Sequence, residues 1–374
     1  MQTLVCQSFP AWDTPYVKST VEILKRVSKT KRVIFLDYPY TLKDLWSHPN
    51  VPKKAIWSRK PRLIQTGFGE IEVYNFLPVL PVNWVNSPIL FRFLMWINGI
   101  IQGWTIRRIR KQLDPKETQV INAFNPVNGH FTKTFWKGFK QNYYAYDQLE
   151  ATAWAGKWGK HFEPEFIRSV DQIIVSSSGL RRKFEKLHPN VKCVKNGVSL
   201  EHFQHPTMEK PQTKKMGYLG AFDDRVDLEL IKQVAEAYPD YLMEILGPVK
   251  ISSESFPENV FFLGTKDPSE LNTTVQDWCL CLIPFVKNEF TQAIYPLKIN
   301  EYLAAGKPVV STNFADLSDF EGMVRVVESH ADFIKGIKKE IRYNNRLKIS
   351  KRISFAKQNS WESRAEEFLL ALAS

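Results

Sequence analysis

Residues 295–312 read Tyr295-Pro-Leu-Lys-Ile-Asn-Glu-Tyr-Leu-Ala-Ala-Gly-Lys-Pro-Val-Val-Ser-Thr312. The stretch predicts a helix, a tight turn and a buried strand in close succession. Pro296 suits the start of a helix, because its φ is already helical and its missing N–H would have no partner there. Gly306 can supply the left-handed residue that ends the helix, and Pro308 stops it before the apolar strand. These features also fit an ordinary αβ unit of any doubly wound fold.

The predicted helix carries two opposite charges at its start. Lys298 and Glu301 are three residues apart, so they lie on adjacent parts of one helical face. A helix N-terminus has unpaired N–H groups and a partial positive charge, which together favour a diphosphate. A lysine there can pair with phosphate, and a glutamate can accept hydrogen bonds from the hydroxyls of a ribose.

The same stretch resembles the donor-site signature of GT-B glycosyltransferases, especially the family-4-like group (glycosyl transferases group 1), whose pattern ends in E-(Y/A)-x-A-x-G-x-P-V-V. It resembles in particular a subgroup from bacterial cell-surface polysaccharide clusters. The resemblance implies that Glu301 binds the nucleotide ribose and that residues 295–298 also contribute to the donor site, as Tyr295, Pro296, Leu297 and Lys298. The chain departs from the pattern at one place, because the family often has a second Glu eight positions before the first and Ala293 stands there. The resemblance covers most of the second half of the chain and patches of the first.

Length and composition favour a globular protein of two domains. The chain has 374 residues, 44% of them hydrophobic and 24% charged, which is ordinary for folded proteins. The 51 basic residues exceed the 39 acidic ones, which favours anionic partners such as nucleotide diphosphates or anionic lipid. No motif supports nucleic-acid binding. The four cysteines lie in or beside apolar, strand-like runs, and the chain starts with a strand-like run, so we predict free thiols, no secretory leader and a cytoplasmic location.

The order of predicted elements favours an α/β fold of GT-B type, with two Rossmann-like domains whose parallel sheets face each other across a cleft. Strand-like apolar runs alternate with helical segments in both halves, as parallel sheets require. We expect an N-terminal acceptor domain over 1–203, a linker over 204–213 and a donor domain over 214–355. By resemblance, a C-terminal helix over 356–374 crosses back to the first domain.

Several strand ends in the second half carry glycine, which lets a ligand approach the backbone. Gly220 and Ala221 follow the first predicted strand of this half, Gly247 follows the second, and Gly264 with Thr265 follows the third. By resemblance they line the donor, with Ala221 where the family commonly has Arg. Arg225 best matches a family lysine that binds phosphate, and the alternative is a surface ion pair with Asp223 or Asp227.

Two acidic segments of the first half are candidates for the acceptor. The run Tyr146-Asp147-Gln-Leu-Glu150 follows a predicted strand and resembles the Y-D-x-x-D of the same subgroup. Asp147 and Glu150 are thus candidates to orient or deprotonate an acceptor hydroxyl. Asp147 can equally cap a helix. Trp12 and Asp13 follow the first strand, and Trp12 is a candidate for stacking on a sugar.

Residues 89–111 admit two interpretations. Leu90, Leu94, Ile97, Ile101 and Trp104 share one helical face, followed by four cations, Arg107, Arg108, Arg110 and Lys111. This pattern is typical of a helix that lies on an anionic membrane, which for this chain would be the inner face of the cytoplasmic membrane. A core helix that ends in basic residues is the other interpretation. Three polar residues interrupt the segment too much for a membrane span.

The sequence therefore predicts a hexosyltransferase-type enzyme that moves a sugar from a nucleotide-diphosphate sugar, of UDP or GDP type, to a glycan or lipid-linked acceptor. The resemblance implies retention of anomeric configuration. We predict no metal and no cofactor besides the co-substrate, with Asp147, Glu150 and Lys298 as catalytic residues. Two alternatives stay open, a nucleotide-sugar 2-epimerase of the same architecture and a degenerate, non-catalytic protein that binds glycan or a partner.

Overall fold

The computed structural model describes residues 2–13, 18–47, 51–151, 156–203, 208–209, 212–251 and 255–373. The chain divides into two compact units, Met1–Lys195 with Ala365–Ser374, and Asn196–Arg364. Each unit is built around one largely parallel sheet, as the alternation of strands and helices predicts. The fold class is therefore α/β.

In its described residues, the first unit has eight strands and seven helices before the C-terminal helix. They are β1 (Thr3–Ser8), α1 (Ser19–Val27), β2 (Arg32–Leu36), α2 (Asp44–Ser47), α3 (Lys53–Ser58), β3 (Arg62–Gln65), β4 (Glu70–Tyr74), α4 (Pro88–Arg110), β5 (Thr118–Ala123), α5 (Pro126–Thr132), β6 (Lys140–Ala145), α6 (Gly156–Ile167), β7 (Gln172–Val175), α7 (Ser178–Phe184) and β8 (Val191–Cys193). The sheet order is β3-β4-β2-β1-β5-β6-β7-β8. Only β3 runs antiparallel among these strands, in a hairpin with β4.

The second unit repeats the design in its described residues. They form β9 (Lys215–Leu219), α8 (Leu228–Ala237), β10 (Leu242–Leu246), β11 (Val260–Gly264), α9 (Pro268–Asp277), β12 (Leu280–Ile283), α10 (Glu289–Gln292), α11 (Leu297–Ala304), β13 (Val309–Thr312), β14 (Arg325–Val327), α12 (His330–Arg342) and α13 (Arg346–Gln358). The sheet order is β11-β10-β9-β12-β13-β14, with parallel pairing throughout these strands. Central strand β12 is buried along its whole length, as an apolar run covered by helices on both faces should be.

The last helix, α14 (Trp361–Ala373), ends on the sheet of the first unit. The carbonyl of Leu372 accepts hydrogen bonds from the side chains of Gln119 at 3.1 Å and Lys140 at 3.0 Å. The carbonyl of Ala371 accepts one from Gln172 at 2.9 Å. These bonds tie the carboxyl end of α14 to β5, β6 and β7.

The unit boundaries differ from the predicted domain boundaries, 203 and 356. Residues 196–203 belong to the second unit because the N–H of Val198 donates to the carbonyl of Asn359 at 3.0 Å, and Phe203 packs in the second core. Residues 356–364 stay with the second unit because Trp361 is buried and its N–H donates to the carbonyl of Val198 at 3.2 Å. The predicted linker, 204–213, lies largely outside the described residues.

Helix α4 buries a different face from the one that carries the predicted apolar residues. Its buried side carries Phe91, Met95, Asn98, Gln102 and Ile106, whereas Leu90 and Trp104 of the predicted face are exposed. The difference arises because two amides are buried with their hydrogen bonds satisfied, so the inward face of the helix is partly polar.

Candidate active site

Helix α11 and its two ends follow from the sequence 296–308. Pro296 is the N-cap, with an extended ψ of 99°, so the helix begins one residue later than the proline. Gly306 has a φ of +73°, and its N–H donates to the carbonyl of Leu303 at 3.0 Å. The N–H of Lys307 donates to the carbonyl of Tyr302 at 2.9 Å. These paired bonds form a Schellman motif, which confirms the predicted left-handed end of the helix.

Tyr302 fixes α11 against the sheet. Its side chain is fully buried, and its hydroxyl accepts a hydrogen bond from the N–H of Leu219, the last residue of β9, at 2.7 Å. Burial raises the pKa of this hydroxyl far above its usual range, so the group is neutral. The fully buried side chains of Ile299 and Leu303 pack the same helix into the core. The helix is therefore held at the carboxyl edge of the sheet, where ligands bind in open α/β folds.

Three glycines lie together at this edge. The N–H of Gly220 donates to the carbonyl of Leu246 at 2.9 Å, and the N–H of Gly247 donates to the carbonyl of Gly264 at 2.8 Å. Their φ angles are +152° for Gly220, +146° for Gly247 and +68° for Gly264. A methyl group on Gly247 would lie 2.1 Å from the carbonyl oxygen of Gly220. Glycine is thus required where the ends of β9 and β10 meet.

Lys298 and Glu301 lie beside this glycine edge. A methyl group on Gly220 would be 3.4 Å from Cε of Lys298. The ammonium Nζ of Lys298 lies 3.2 Å from carboxylate Oε2 of Glu301. Within the described residues, Oε2 is buried and has no hydrogen bond of good geometry. The site therefore combines one cation, one carboxylate and the start of a helix, whose first N–H groups lack the usual acceptors four residues back.

Arg225 is held by an ion pair. Its guanidinium donates two hydrogen bonds of 2.7 Å to the two carboxylate oxygens of Asp223 and lies over the ring of Phe285. Burial opposes ionisation of Asp223, but the hydrogen bonds and charge of Arg225 outweigh it and lower the pKa of Asp223. The alternative that the sequence left open for Arg225, a pair with Asp223, is present in the structure.

Other predicted donor residues occupy different surroundings. The side chain of Tyr295 is buried and packs on Phe320 with ring centroids 5.4 Å apart. Its burial raises the pKa of the phenol to about 12. The carbonyl of Ala221 accepts a hydrogen bond from the Tyr218 hydroxyl at 2.9 Å. Ala293 ends α10 and offers no polar side chain.

The acidic candidates of the first unit follow β6. Oδ1 of Asp147 accepts a hydrogen bond from the N–H of Gln148 at 2.8 Å, directly before a short 3-10 helix, Leu149–Ala151. Glu150 forms an ion pair of 3.3 Å with Lys183. The ring of Tyr146 packs on Phe124 with centroids 4.5 Å apart.

Trp12, which follows β1, contacts the carboxylate of Asp37, a residue that the sequence motifs do not single out. The N–H of Trp12 donates to Oδ1 of Asp37 at 2.8 Å, and Asp13 pairs with Arg62 at 2.7 Å. Asp37 is fully buried, and Arg62 and Asn75 also donate to its Oδ2, at 3.2 Å and 2.8 Å. Burial nevertheless raises the pKa of Asp37. Its signal in the sequence is an acidic residue directly after the apolar strand 32–36, the pattern that singled out Asp147.

A mostly apolar pocket of about 120 Å³ lies in the first unit. Its walls come from residues that follow β1, β2, β5 and β6 and from the inward face of α4. The aromatic and aliphatic lining includes Phe9, Tyr38, Phe91, Met95, Phe124 and Trp158, and the amides of Asn98, Asn125 and Asn128 supply polar groups. Ligand pockets commonly measure about 300–1,000 Å³, so this one suits a small apolar group of a ligand rather than a whole ligand. In the described parts of the chain, no three His, Cys, Asp or Glu side chains are grouped to hold a metal ion.

Solved GT-B enzymes are similar to the whole chain. Sucrose-phosphate synthase from Thermosynechococcus elongatus has a TM-score of 0.70 at 14% identity, with 100% of both chains covered. The α,α-trehalose-phosphate synthase (UDP-forming) from Burkholderia xenovorans, in complex with glucose-6-phosphate, has a TM-score of 0.68 at 8% identity, also over 100% of both chains. The chain has the GT-B fold.

One curated relative, "Putative teichuronic acid biosynthesis glycosyltransferase TuaH" from Bacillus subtilis (strain 168), is 31% identical over 179 residues. The match spans 43% of this chain and 45% of the relative, so it reaches somewhat less than half the length of either. No protein-family model matches the chain.

On this GT-B fold, the predicted site residues fall into two groups. Gly220, Gly247, Gly264, Lys298 and Glu301 come together at one edge of the second sheet. Thr265 is the next residue after Gly264 in the chain. Trp12, Asp13, Tyr146, Asp147 and Glu150 all belong to the first unit, where they follow β1 and β6.

Proposed function

We propose that this chain is a retaining glycosyltransferase that moves a sugar from a nucleotide-diphosphate sugar, of UDP or GDP type, to a glycan or lipid-linked acceptor. One observation carries the proposal: α11 brings Lys298 and the carboxylate of Glu301 to the glycine edge at Gly220. A backbone without side chains, a cation and a hydrogen-bond acceptor are what a nucleotide diphosphate requires.

Each group would have its own task in the donor site. The ribose hydroxyls would donate to the carboxylate of Glu301, in competition with the ion pair that its Oε2 makes with Lys298. The ammonium of Lys298 and the N–H groups at the start of α11 would neutralise the diphosphate as it leaves the sugar. Stabilising this growing charge lowers the barrier without a proton donor. No metal ion or further cofactor is part of the proposal.

Arg225 is a second candidate for the diphosphate. To reach it, the guanidinium would exchange the two carboxylate oxygens of Asp223 for phosphate oxygens, which offer the same paired geometry. The donor would then replace the ion pair that Asp223 makes in the structure.

The acceptor would bind in the first unit. The apolar pocket beside α4 has room for a small apolar group of the acceptor. Asp147 and Glu150 follow β6 and are the proposed groups that orient or deprotonate its hydroxyl. The similarity to a protein named for teichuronic acid biosynthesis supports a role in cell-surface polysaccharide synthesis.

A non-catalytic GT-B protein that binds glycan is the second candidate. It is favoured by the two alanines, Ala221 and Ala293, at positions where the family commonly has charged side chains, and by the Asp223–Arg225 pair. In that case the glycine edge would bind a nucleotide or glycan and leave its bonds intact.

The test uses purified protein and a panel of UDP-sugars and GDP-sugars. A donor at one hundred times its Kd should add about 2.7 kcal/mol to the free energy of unfolding, which a thermal melt detects. Release of the nucleotide diphosphate, with transfer of the sugar to water or an added acceptor, supports the transferase. Stabilisation without turnover favours the non-catalytic protein, and recovery of an epimerised nucleotide sugar favours a 2-epimerase. If no nucleotide sugar stabilises the protein, the donor site is wrong.

A further inference from the structure

Helix α4 presents an apolar stripe to solvent. Ile89 is 84% exposed, Phe93 55%, Trp96 56% and Trp104 55%. Their spacing places all four on one side of the helix, and we call them the α4 stripe. The rings of Phe93 and Trp96 stack with centroids 6.2 Å apart. Large apolar side chains grouped on a surface in this way mark an interaction site more often than scattered ones do.

Buried amides on the opposite side fix the rotation of α4. The side chain of Asn98 bonds both backbone groups of Leu80, accepting from its N–H at 2.8 Å and donating to its carbonyl at 2.9 Å. The amide of Gln102 donates to Asn128 at 2.8 Å. A rotation that buried the α4 stripe would break these bonds and leave amides unpaired, which is costly in a core. The stripe therefore faces outward because the amides on the opposite face are held by hydrogen bonds in the core.

Close packing also holds α4 against the rest of the first unit. A methyl group on Gly99 would lie 2.6 Å from the carbonyl oxygen of Phe131, and one on Gly103 would lie 2.3 Å from the ring of Phe135. The helix is 23 residues long and, by length and composition alone, could cross a membrane. Spanning would remove Asn98 and Gln102 from their partners and expose them to lipid, so the packing favours a helix that lies on a surface.

Cations extend the α4 stripe at the carboxyl end of the helix. Arg107 and Lys111 are exposed, and the guanidinium of Arg107 lies 4.8 Å from the centroid of the Phe135 ring. The guanidinium of Arg110 donates to the carbonyls of Phe135 and Lys137 at 2.6 Å and 3.0 Å. The whole chain carries a formal charge of +12. Aromatic rings flanked by lysine and arginine are typical of helices at the interface of an anionic bilayer.

We propose that the α4 stripe docks this chain on an anionic lipid bilayer, with its rings in the headgroup–acyl boundary and Arg107 and Lys111 at the headgroups. A cytoplasmic protein would then act at the inner face of the cytoplasmic membrane. Docking does not depend on the transferase activity. It would nevertheless put the apolar pocket, which Phe91 and Met95 line from the other side of α4, one helix away from the lipid.

Flotation with vesicles tests the proposal. The probes are phosphatidylcholine vesicles with and without phosphatidylglycerol, at low and high salt. The stripe variant is Phe93→Ser/Trp96→Ser/Trp104→Ser. Its matched control is Tyr343→Ser/Leu347→Ser in the second unit, where the two side chains are 56% and 66% exposed. Both should melt near the parent temperature, because all five side chains are largely in solvent.

The parent and the control should float with phosphatidylglycerol vesicles, and added salt should reduce the fraction bound. The stripe variant should bind at least about tenfold less, because three interfacial rings are lost. Should the stripe variant unfold, Arg107→Gln/Lys111→Gln leaves the rings in place and should still bind less at low salt. A parent that does not float, or a folded stripe variant that floats like the parent, would overturn the proposal. So would a parent dimer that does not float and that the stripe variant converts to a monomer, because the partner would then be a second copy.

Discussion

The ammonium of Lys298 lies 3.2 Å from Oε2 of Glu301, one turn further along α11, at the glycine edge of the second sheet. The two side chains are 32% and 22% exposed, although Oε2 of Glu301 is itself buried. A partly exposed pair three residues apart on a helix stabilises it by only a few tenths of a kcal/mol. The pair between Lys298 and Glu301 therefore contributes little to the stability of the fold, and replacing either residue should lower the free energy of unfolding only slightly.

Lys298→Met should lower kcat more than it lowers nucleotide affinity. The variant keeps the length of the side chain and removes the charge, and the charge on the diphosphate grows as the sugar leaves. Interactions that strengthen in the transition state appear in turnover. Steady-state kinetics with the best donor of the panel measure the effect, with Lys338→Met, an exposed lysine of α12, as the control. Equal kcat in the two variants would contradict the assignment of Lys298 to the leaving diphosphate.

Much of the site could be predicted from the sequence because its signals are local. Pro296, Gly306 and Pro308 dictate backbone geometry within a few residues, and the left-handed Gly306 and the buried strand β13 are where they predict. The glycines at the ends of β9, β10 and β11 can likewise be recognised in the sequence, because each one closes an apolar run. Parallel pairing of these strands then brings the glycines together.

The remaining features depend on partners that are distant in sequence. The inward face of α4 contains Asn98 and Gln102, which bond to residues 18 and 26 positions away. Counting apolar residues therefore does not identify the buried face of this helix. The hairpin of β3 and β4 could not be predicted, because Arg62–Gln65 is short and alternates partly buried and exposed residues at the sheet edge. The sequence predicts Arg225 near the site, but it does not distinguish Asp223 from Asp227 as the ion-pair partner. The structure shows the pair with Asp223.

Gly247→Ala should destabilise the second unit. The new methyl group would lie 2.1 Å from the carbonyl oxygen of Gly220, and the residue holds a φ of +146°. Strained backbone of this kind costs about 1–3 kcal/mol per residue, so the midpoint of urea unfolding should fall. Gly67→Ala is the control, because a methyl group there meets no atom within 4 Å. If the two variants unfold alike, the glycine edge is not as tight as its geometry indicates.

Lys307→Met should change how stability depends on pH. Lys307 is 3% exposed and donates to the carbonyl of Gln276 at 2.7 Å. Burial lowers the pKa of Lys307 from 10.5 to about 8. Between these pH values the unfolded chain holds a proton that the folded chain has released, so Lys307 makes the free energy of unfolding rise with pH across this window.

The cost of the buried charge is complete below pH 8, where folded and unfolded chains are both protonated, and is on the order of a few kcal/mol. The parent should therefore gain more stability than Lys307→Met between pH 8 and pH 10.5, as urea unfolding at several pH values would measure. Parallel curves for the two proteins would mean that Lys307 keeps an ordinary pKa in the folded chain.

The affinity of Glu301→Gln for the nucleotide diphosphate of the best donor tests the donor site most directly. Glutamine keeps the shape of the side chain and removes the charge that strengthens a hydrogen bond from a ribose hydroxyl. Calorimetric titration should show binding weaker by about 1.5–3 kcal/mol, the range for hydrogen bonds to charged groups. The variant should melt near the parent temperature, because the pair with Lys298 contributes little. Unchanged affinity in a folded Glu301→Gln protein would contradict the donor site at α11, and with it the function proposed for this chain.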